Sequence, residues 1–163
     1  MEKSQKNRLF VGIDPGKGGG IAYISENDSN VDYFRCKSAY DLKTVFNIFK
    51  GSFTPKDIHI YVEKVWSFPK DSNKASFTFG KNMGMWETLL EINELAYKTV
   101  LPRVWQKYLH IPSGMKKTER KKLLKKVAND CVRCYDTESK PITYYTADAI
   151  CIAYYGKLMN SKT

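Results

Sequence analysis

The feature that most constrains the fold is an apolar run that ends in a tight turn and is followed at once by a second apolar run. Leu9–Ile13 is bounded by the Asp-Pro-Gly sequence of Asp14–Gly16, and three glycines, Gly18–Gly20, then lead into Ile21–Ile24. Short apolar runs separated by Gly and Pro predict two buried strands paired as a hairpin. Such a sheet must be covered by other elements, which points to a layered domain.

The rest of the chain alternates between strand-like and helix-like apolar patterns. Further strands are predicted over Val31–Cys36, Ile58–Val62 and Thr99–Leu101. Helices are predicted over 40–50, 75–95, 118–131 (with Thr118 as its cap) and 143–158, and one or two helical turns over 103–110. This order predicts an α/β fold, a mixed sheet with helices packed on it. The 163 residues are predicted to form a single domain, 1–163.

The positive charge of the chain is concentrated in one segment. The net charge is +10, and between residues 98 and 126 Glu119 is the only acid among ten basic residues. They are Lys98, Arg103, Lys107, Lys116, Lys117, Arg120, Lys121, Lys122, Lys125 and Lys126. One lysine-rich helix alone could be a solvated face, but a concentrated field of one sign attracts a polyanion and releases counterions from its phosphates. The segment predicts nucleic acid as the partner; it lacks the apolar face that a membrane surface would require.

Three acidic residues occupy places that suggest chemistry. Asp14 follows the first strand, Glu63 follows the Ile58–Val62 strand, and Asp148 lies early in the apolar last helix. Each has a structural alternative: a turn cap, a surface residue at a strand end, or a partner of the helix dipole. Converging carboxylates raise one another's pKa unless a cation is present, and a hard divalent ion such as Mg²⁺ or Mn²⁺ resolves that conflict. A basic protein with such a pocket is predicted to be a nuclease.

Three short motifs follow one another in an order and rough spacing that a known family shares. They are Gly-Ile-Asp-Pro-Gly at Gly12–Gly16, Val-Glu-Lys-Val-Trp at Val62–Trp66, and Ala-Asp-Ala-Ile at Ala147–Ile150. Over residues 8 to 157 the chain resembles the RuvC-type Holliday junction resolvases of the RNase H-like superfamily, and Pro102–Lys107 is similar to their phage and organelle branch. The resemblance implies a five-stranded mixed sheet whose first three strands are antiparallel. It also implies a crossover junction endodeoxyribonuclease that cuts four-way DNA junctions by paired, symmetric nicks.

The resemblance also implies roles for individual catalytic residues. Asp14, Glu63 and Asp148 would bind Mg²⁺ or Mn²⁺, two ions per active site, and Lys117 would support the scissile phosphate. Family members often carry another acid or a His three residues before the last acid, and this chain has Tyr145 there. That departure removes one expected ligand of the second ion.

A second group of residues is expected to contact DNA. In the family, the position of Trp66 meets bases at the junction centre, and an indole stacked on a base contributes about 1–3 kcal/mol. A core tryptophan is the alternative at this position. The predicted DNA contacts are Trp66, Lys64, Arg103, Lys107, Lys116 and Lys121.

The symmetry of a four-way junction predicts a homodimer, because paired nicks require two active sites related by a two-fold axis. The helix over 75–95, with Met83, Trp86 and the two glycines Gly80 and Gly84, is predicted to form part of the interface. No small-molecule cofactor and no membrane partner are expected. Two alternatives remain open. One is an RNase H-like nuclease acting on RNA–DNA hybrids or forks, and the other is a non-catalytic protein that binds branched DNA, suggested by Tyr145.

The expected compartment is intracellular. The polar N-terminal residues predict no secretory signal, and no apolar run reaches the length of a membrane span. Four cysteines in a chain this long do not predict a disulfide framework. The resemblance suggests the cytoplasm of a bacterial or phage-infected cell, or an organelle.

Overall fold

The computed structural model describes residues 7–26, 31–35, 47, 53–64, 72–133 and 141–161. Within these ranges five strands form one sheet and four helices flank it. The strands are β1 (Leu9–Ile13), β2 (Gly20–Ser25), β3 (Val31–Arg35), β4 (Ile58–Glu63) and β5 (Tyr97–Val100). The helices are α1 (Asn73–Ile92), α2 (Pro102–Tyr108), α3 (Lys117–Arg133) and α4 (Ala147–Asn160). A single 3₁₀ turn, Pro55–Asp57, leads into β4.

The sheet has the strand order β3-β2-β1-β4-β5. β2 pairs antiparallel with both β1 and β3, whereas β4 pairs parallel with both β1 and β5. The predicted α/β architecture, with five strands of which the first three are antiparallel, is therefore confirmed. β1 is central and buried along its whole length, as its uninterrupted apolar sequence indicates.

Side chains alternate across the strands, so each face of the sheet has its own core. Leu9, Val11 and Ile13 of β1 face α1, where Trp86 and Leu90 are buried against them. The opposite face packs against α4 and, behind it, α3. Among the described residues, the sheet is consequently covered on both faces around its central strand β1.

Helix α4 crosses β1 at unusually close range because β1 has a glycine at the crossing point. A Cβ placed on Gly12 would lie 2.2 Å from the carbonyl oxygen of Ala149 and 2.3 Å from the backbone nitrogen of Ala153. Backbone atoms cannot move aside for a side chain without shifting the whole helix. Gly12 therefore allows α4 to lie directly on β1, with its first turn near the end of that strand.

The basic helix and the last helix begin at other residues than the sequence predicts. The basic helix begins at Lys117, so the prediction that Thr118 caps it is wrong: the Arg120 amide already bonds to the Lys116 carbonyl at 3.0 Å. The last helix begins at Ala147, because the Thr143 hydroxyl accepts the Tyr145 amide proton and holds the preceding residues in a turn. The predicted helix over 40–50 lies outside the described residues, apart from Asn47.

Two side chains predicted for the interface face of α1 lie on its core side. Trp86 is buried in the core against the sheet and Met83 packs beside it, so Trp86 cannot contribute to an exposed interface. Gly80 and Gly84 have open space around their α-carbons. None of the four helices in the described ranges combines bilayer-spanning length with an apolar sequence.

Candidate active site

Asp14 and Glu63 lie at the same end of two neighbouring parallel strands. Ile13 of β1 is paired with Val62 of β4, so the next residue along each strand is an acid. Ile13 and Val62 face the core under α1, and side chains alternate along a strand. Asp14 and Glu63 therefore point towards the opposite face, the one that α4 covers.

Asp148 is the third carboxylate at this point. It lies in the first turn of α4, next to the residue that approaches Gly12. The charge of Asp14 raises the pKa of both Glu63 and Asp148, and the charge of Asp148 raises the pKa of Glu63 as well. Each of these effects requires that the two carboxyl groups lie near each other, so the fold brings together three acids that are far apart in the sequence.

Burial dominates the electrostatics of the three acids. Removal from water raises the pKa of Glu63 to about 8, with Asp14 and Asp148 adding to the effect. Burial and then Asp14 raise the pKa of Asp148 to about 7. Burial also raises the pKa of Asp14, against the opposing effects of the Gly16 amide and Lys121. Carboxyl groups whose pKa values are raised keep their protons near pH 7. A site built from such groups favours a cation that takes the place of the protons.

The glycine-rich turn after β1 is folded around Asp14. The Gly16 amide donates a hydrogen bond to Asp14 Oδ1 at 2.9 Å, and the Asp14 amide donates to the Gly20 carbonyl at 3.0 Å. A Cβ on Gly19 would lie 2.0 Å from the Asp14 carbonyl oxygen. The turn therefore requires glycine for steric reasons and fixes the orientation of the first acid.

Trp105 supports the second acid. Its indole nitrogen donates a hydrogen bond to Glu63 Oε1 at 3.1 Å, and both side chains are buried. This bond and the nearby Arg120 favour the charged form of Glu63, and they partly offset the effect of burial on its pKa. Among described residues, Trp105 is the side chain that anchors this carboxylate directly.

A cleft of about 1570 Å³ opens beside these acids, and cations line it. Glu63 and Asp148 form part of its wall, whereas Asp14 lies outside the lining. The basic residues in the wall are Arg103, Lys107, Arg120 and Lys121. Lys121 lowers the pKa of Asp14 and of Asp148, which places its charge close to both acids.

The structure thus brings some predicted residues together and leaves others apart. Arg103, Lys107 and Lys121 share the cleft with the acids. Lys116 and Lys117 are exposed and do not line it, while the half-buried Lys64 donates its amide proton to the Val100 carbonyl beside β5. Trp66 lies outside the described residues.

Arg120 and Trp105 are residues of the site that sequence reasoning missed. Arg120 belongs to the same helical face as Leu124 and Val127, which also line the cleft, so its spacing could have identified it. Trp105 lies within the Pro102–Lys107 motif, but nothing in the sequence indicates that it contacts an acid, because a buried tryptophan is usual in a core.

Tyr145 stands where the family pattern has an additional acid or histidine, and the structure gives it another partner. The Arg35 guanidinium lies 3.8 Å from the centre of its ring. A Cβ on Gly18 would lie 2.6 Å from ring atoms of Tyr145, so the ring rests on the glycine-rich turn. Tyr145 therefore covers the Asp14 turn and supplies no carboxylate to the site.

The donor set fits a divalent cation in charge and in chemistry. Carboxylate oxygens are the hard donors that Mg²⁺ and Mn²⁺ prefer, and the charges of Asp14 and Asp148 raise the pKa of Glu63 beside them. As they stand, no three His, Cys, Asp or Glu side chains of the described ranges are placed to hold one metal ion. Side-chain rotation would have to complete such a site.

Comparison with known proteins identifies the fold. No family model and no curated protein matches the sequence. The solved structures that match include Thermus thermophilus RuvC in complex with a Holliday junction substrate, at 12% identity and a TM-score of 0.63. They also include Thermus thermophilus RuvC, at 14% identity and a TM-score of 0.60. Each match covers 94% of this chain and 96% of the other. The chain therefore has the RuvC-type, RNase H-like fold.

Proposed function

We propose that the protein is a metal-dependent endonuclease that resolves four-way DNA junctions by paired nicks within a homodimer. The observation that carries this proposal is the convergence of Asp14, Glu63 and Asp148 at one end of a RuvC-type sheet, beside a cleft lined by cations. One of the matching structures is a complex with a Holliday junction, which supports branched DNA as the substrate class. Such an enzyme would act on DNA inside a cell.

The three acids would hold one or two Mg²⁺ or Mn²⁺ ions. When bound, these ions lower the pKa of a coordinated water and stabilise the charge on the leaving oxygen. The chain contributes orientation: the Gly16 amide fixes Asp14 and the Trp105 indole fixes Glu63. Burial beneath α4 keeps the carboxylates out of bulk water, where their electrostatic interactions with a cation would be weaker.

The cleft residues would bind the phosphodiester backbone. Arg120 and Lys121 lie close enough to the acids to affect their pKa values, so their charges can act on a phosphate held there. Arg103 and Lys107 line the cleft from α2 and would contact phosphates along the strand. Lys117 remains a predicted support for the scissile phosphate, although Lys121, one helical turn later, is better placed for that role.

The outward face of α1 supports the homodimer. Phe77 is 76% exposed and Ile92 is 73% exposed, and Gly80 and Gly84 lie between them on the same side of the helix. A face that combines two exposed apolar side chains with two glycines suits close packing against a second helix. We expect analytical ultracentrifugation to show a dimer that Phe77→Lys dissociates without loss of folding; a wild-type monomer would refute this part.

Catalysis is tested with one variant of each acid. A labelled four-way junction is incubated with wild type, Asp14→Asn, Glu63→Gln and Asp148→Asn, with and without Mg²⁺. We expect symmetric nicks from wild type only in the presence of the metal, no nicks from the variants, and retained junction binding. Glu94→Gln, an exposed acid between α1 and β5, is the matched control and should cut normally. Continued cutting by all three variants would end the catalytic assignment.

The choice of substrate is tested by comparing a junction, a replication fork and an RNA–DNA hybrid under one set of conditions. Preferential cutting of the hybrid or the fork would favour the RNase H-like alternative. Trp66→Ala is predicted to lower selectivity for the junction more than binding to duplex DNA, whereas equal loss on both would indicate a core role.

A non-catalytic protein that binds branched DNA is the second candidate, because the fourth ligand position is occupied by Tyr145 and that ring is engaged by Arg35. Junction binding without nicking in either Mg²⁺ or Mn²⁺ would establish this candidate.

A further inference from the structure

A second groove, of about 600 Å³, lies on the other side of α3 from the catalytic cleft. It runs between this helix and Tyr144, which precedes α4. Its lining residues are Lys122, Lys125, Lys126, Asn129, Asp130, Arg133 and Tyr144. No residue lines both the groove and the cleft, so they are separate surfaces of one helix.

Helical geometry makes these residues a continuous strip. Positions 122, 125, 126, 129 and 133 recur every three or four residues and therefore lie on one face of α3. From Lys122 to Arg133 the helix rises about 16 Å. That length matches about five nucleotide steps of one strand in duplex DNA, at about 3.4 Å per step.

The charge of the strip is unbalanced. Four cations line it against Asp130, which lies 4.0 Å from Arg133. Lys122 and Lys126 stand four residues apart, a spacing at which like charges repel and destabilise a helix. The repulsion would be relieved by a ligand that carries regularly spaced negative charges.

Tyr144 adds an aromatic surface to the strip. Its side chain is 45% exposed, and Lys125 Nζ lies 5.4 Å from the centre of its ring. An exposed ring beside an ammonium group suits a ligand that offers both a phosphate and a sugar or base. An anionic membrane would satisfy the lysines but would give this single ring little to bind.

We propose that this groove binds the sugar–phosphate backbone of a duplex DNA arm outside the catalytic cleft. The proposal rests on DNA as the substrate of the proposed function and extends it to a second contact surface. Lys121 in the cleft and Lys122 in the groove are consecutive residues, so DNA leaving the cleft would pass directly over α3 onto the strip. The groove would then direct the arm and add affinity without taking part in cleavage.

The test compares two double variants with equal changes in charge. Lys122→Gln with Lys126→Gln removes two cations from the groove; both side chains are exposed, so folding should persist. Lys56→Gln with Lys74→Gln is the control. Lys56 precedes β4, at the end opposite Glu63, and the exposed Lys74 lies in the first turn of α1, on the other face of the sheet from α3. Junction binding is measured by fluorescence anisotropy in EDTA over a range of salt concentrations.

We expect the groove variant to bind a four-way junction about 10-fold more weakly at low salt. The slope of log affinity against log salt should fall by about 2, since each neutralised phosphate contributes about 0.9. Single-turnover cleavage at saturating protein should match wild type, and the control should match wild type in every measurement. Tyr144→Ala should weaken binding without changing the slope.

Affinity and salt slope equal to those of wild type or of the control would overturn the proposal. Binding to vesicles that contain phosphatidylserine is measured as well. If wild type and the control bind the vesicles and the groove variant does not, while the groove variant still binds DNA as wild type does, the strip binds a membrane surface instead. These readouts measure binding, so they remain decisive even if wild type proves unable to nick a junction.

Discussion

The burial of the acidic site makes a quantitative prediction about stability in the absence of metal. The pKa of Asp148 is about 7 in the folded protein, against 3.8 for an ordinary aspartate. Because the folded pKa is raised, this group contributes stability that is fully present below the unfolded pKa and is lost as the pH rises through the folded pKa. The metal-free protein should therefore become less stable between pH 5 and pH 8, and Asp148→Asn should lose less stability over that range.

The size of the difference follows from these two pKa values. At pH 5 the stabilising contribution of Asp148 to the folded state has already fallen by about 1.7 kcal/mol, and by pH 8 it has fallen by about 4 kcal/mol. The wild type should thus lose about 2–3 kcal/mol more than Asp148→Asn between these values. Urea unfolding in EDTA, followed by circular dichroism at several pH values, measures it. Saturating Mg²⁺ at pH 8 should raise the free energy of unfolding of the wild type, since a ligand that binds only the folded state stabilises it.

A matched carboxylate separates this effect from the general influence of pH. Glu91→Gln removes an exposed acid from α1, and its curve should run parallel to that of wild type. If the Asp148→Asn curve is also parallel to wild type, Asp148 titrates as an ordinary surface acid. The reasoning that places Asp148 in a buried acidic site near Asp14 would then be refuted.

Three further predictions concern the supports of this site and of the sheet. Trp105→Phe removes the hydrogen-bond donor to Glu63. Calorimetry should show Mg²⁺ binding that is about 10-fold weaker, since a hydrogen bond to a charged group contributes about 1.5–3 kcal/mol. Unchanged affinity would contradict the role of Trp105. Gly12→Ala should cost about 3 kcal/mol or more in urea unfolding, because the added methyl meets the backbone of α4, and a loss below about 1 kcal/mol would contradict the close approach. Arg8→Gln breaks a two-bond pair with the half-exposed Glu26 and should cost under about 1 kcal/mol, less at high salt. The pair lowers the pKa of Glu26, so this contribution should be present above pH 4.5 and be lost as the pH falls through the lowered value.

The sequence predicts the acidic site because strands and their ends are local features. The apolar run of β1 ends at Ile13 and that of β4 at Val62, so the acid that follows each run is visible without a structure. Parallel pairing of the two strands then places Asp14 beside Glu63. The position of Asp148 is harder to predict, because it depends on where α4 crosses the sheet. That crossing is possible because Gly12 has no side chain.

The residues that sequence reasoning missed act through tertiary contacts. Trp105 reaches Glu63 across 42 positions of the chain, and nothing in its neighbours distinguishes it from a core tryptophan. Arg120 and Lys117 are equally basic and, three residues apart, lie on the same side of α3. Arg120 lines the cleft, whereas Lys117, the first residue of the helix, lies beyond its end. Where along α3 the cleft opens depends on how its apolar residues pack inwards, among them Leu124, Ala128 and Cys131.

The same packing gives the acidic site its dependence on pH. Arg120 favours the charged form of Glu63, and Lys121 and Arg120 favour that of Asp148, yet burial and the charge of Asp14 still leave both pKa values near or above neutrality. A metal ion must therefore displace protons in order to bind, and its affinity should rise as the pH increases towards about 8. Mg²⁺ affinity that does not change between about pH 6 and pH 8 would show that the carboxylates are already ionised. In that case the charges of Arg120 and Lys121 would lower the pKa values of the acids more than burial raises them. The carboxylates would then be ionised before a metal ion binds.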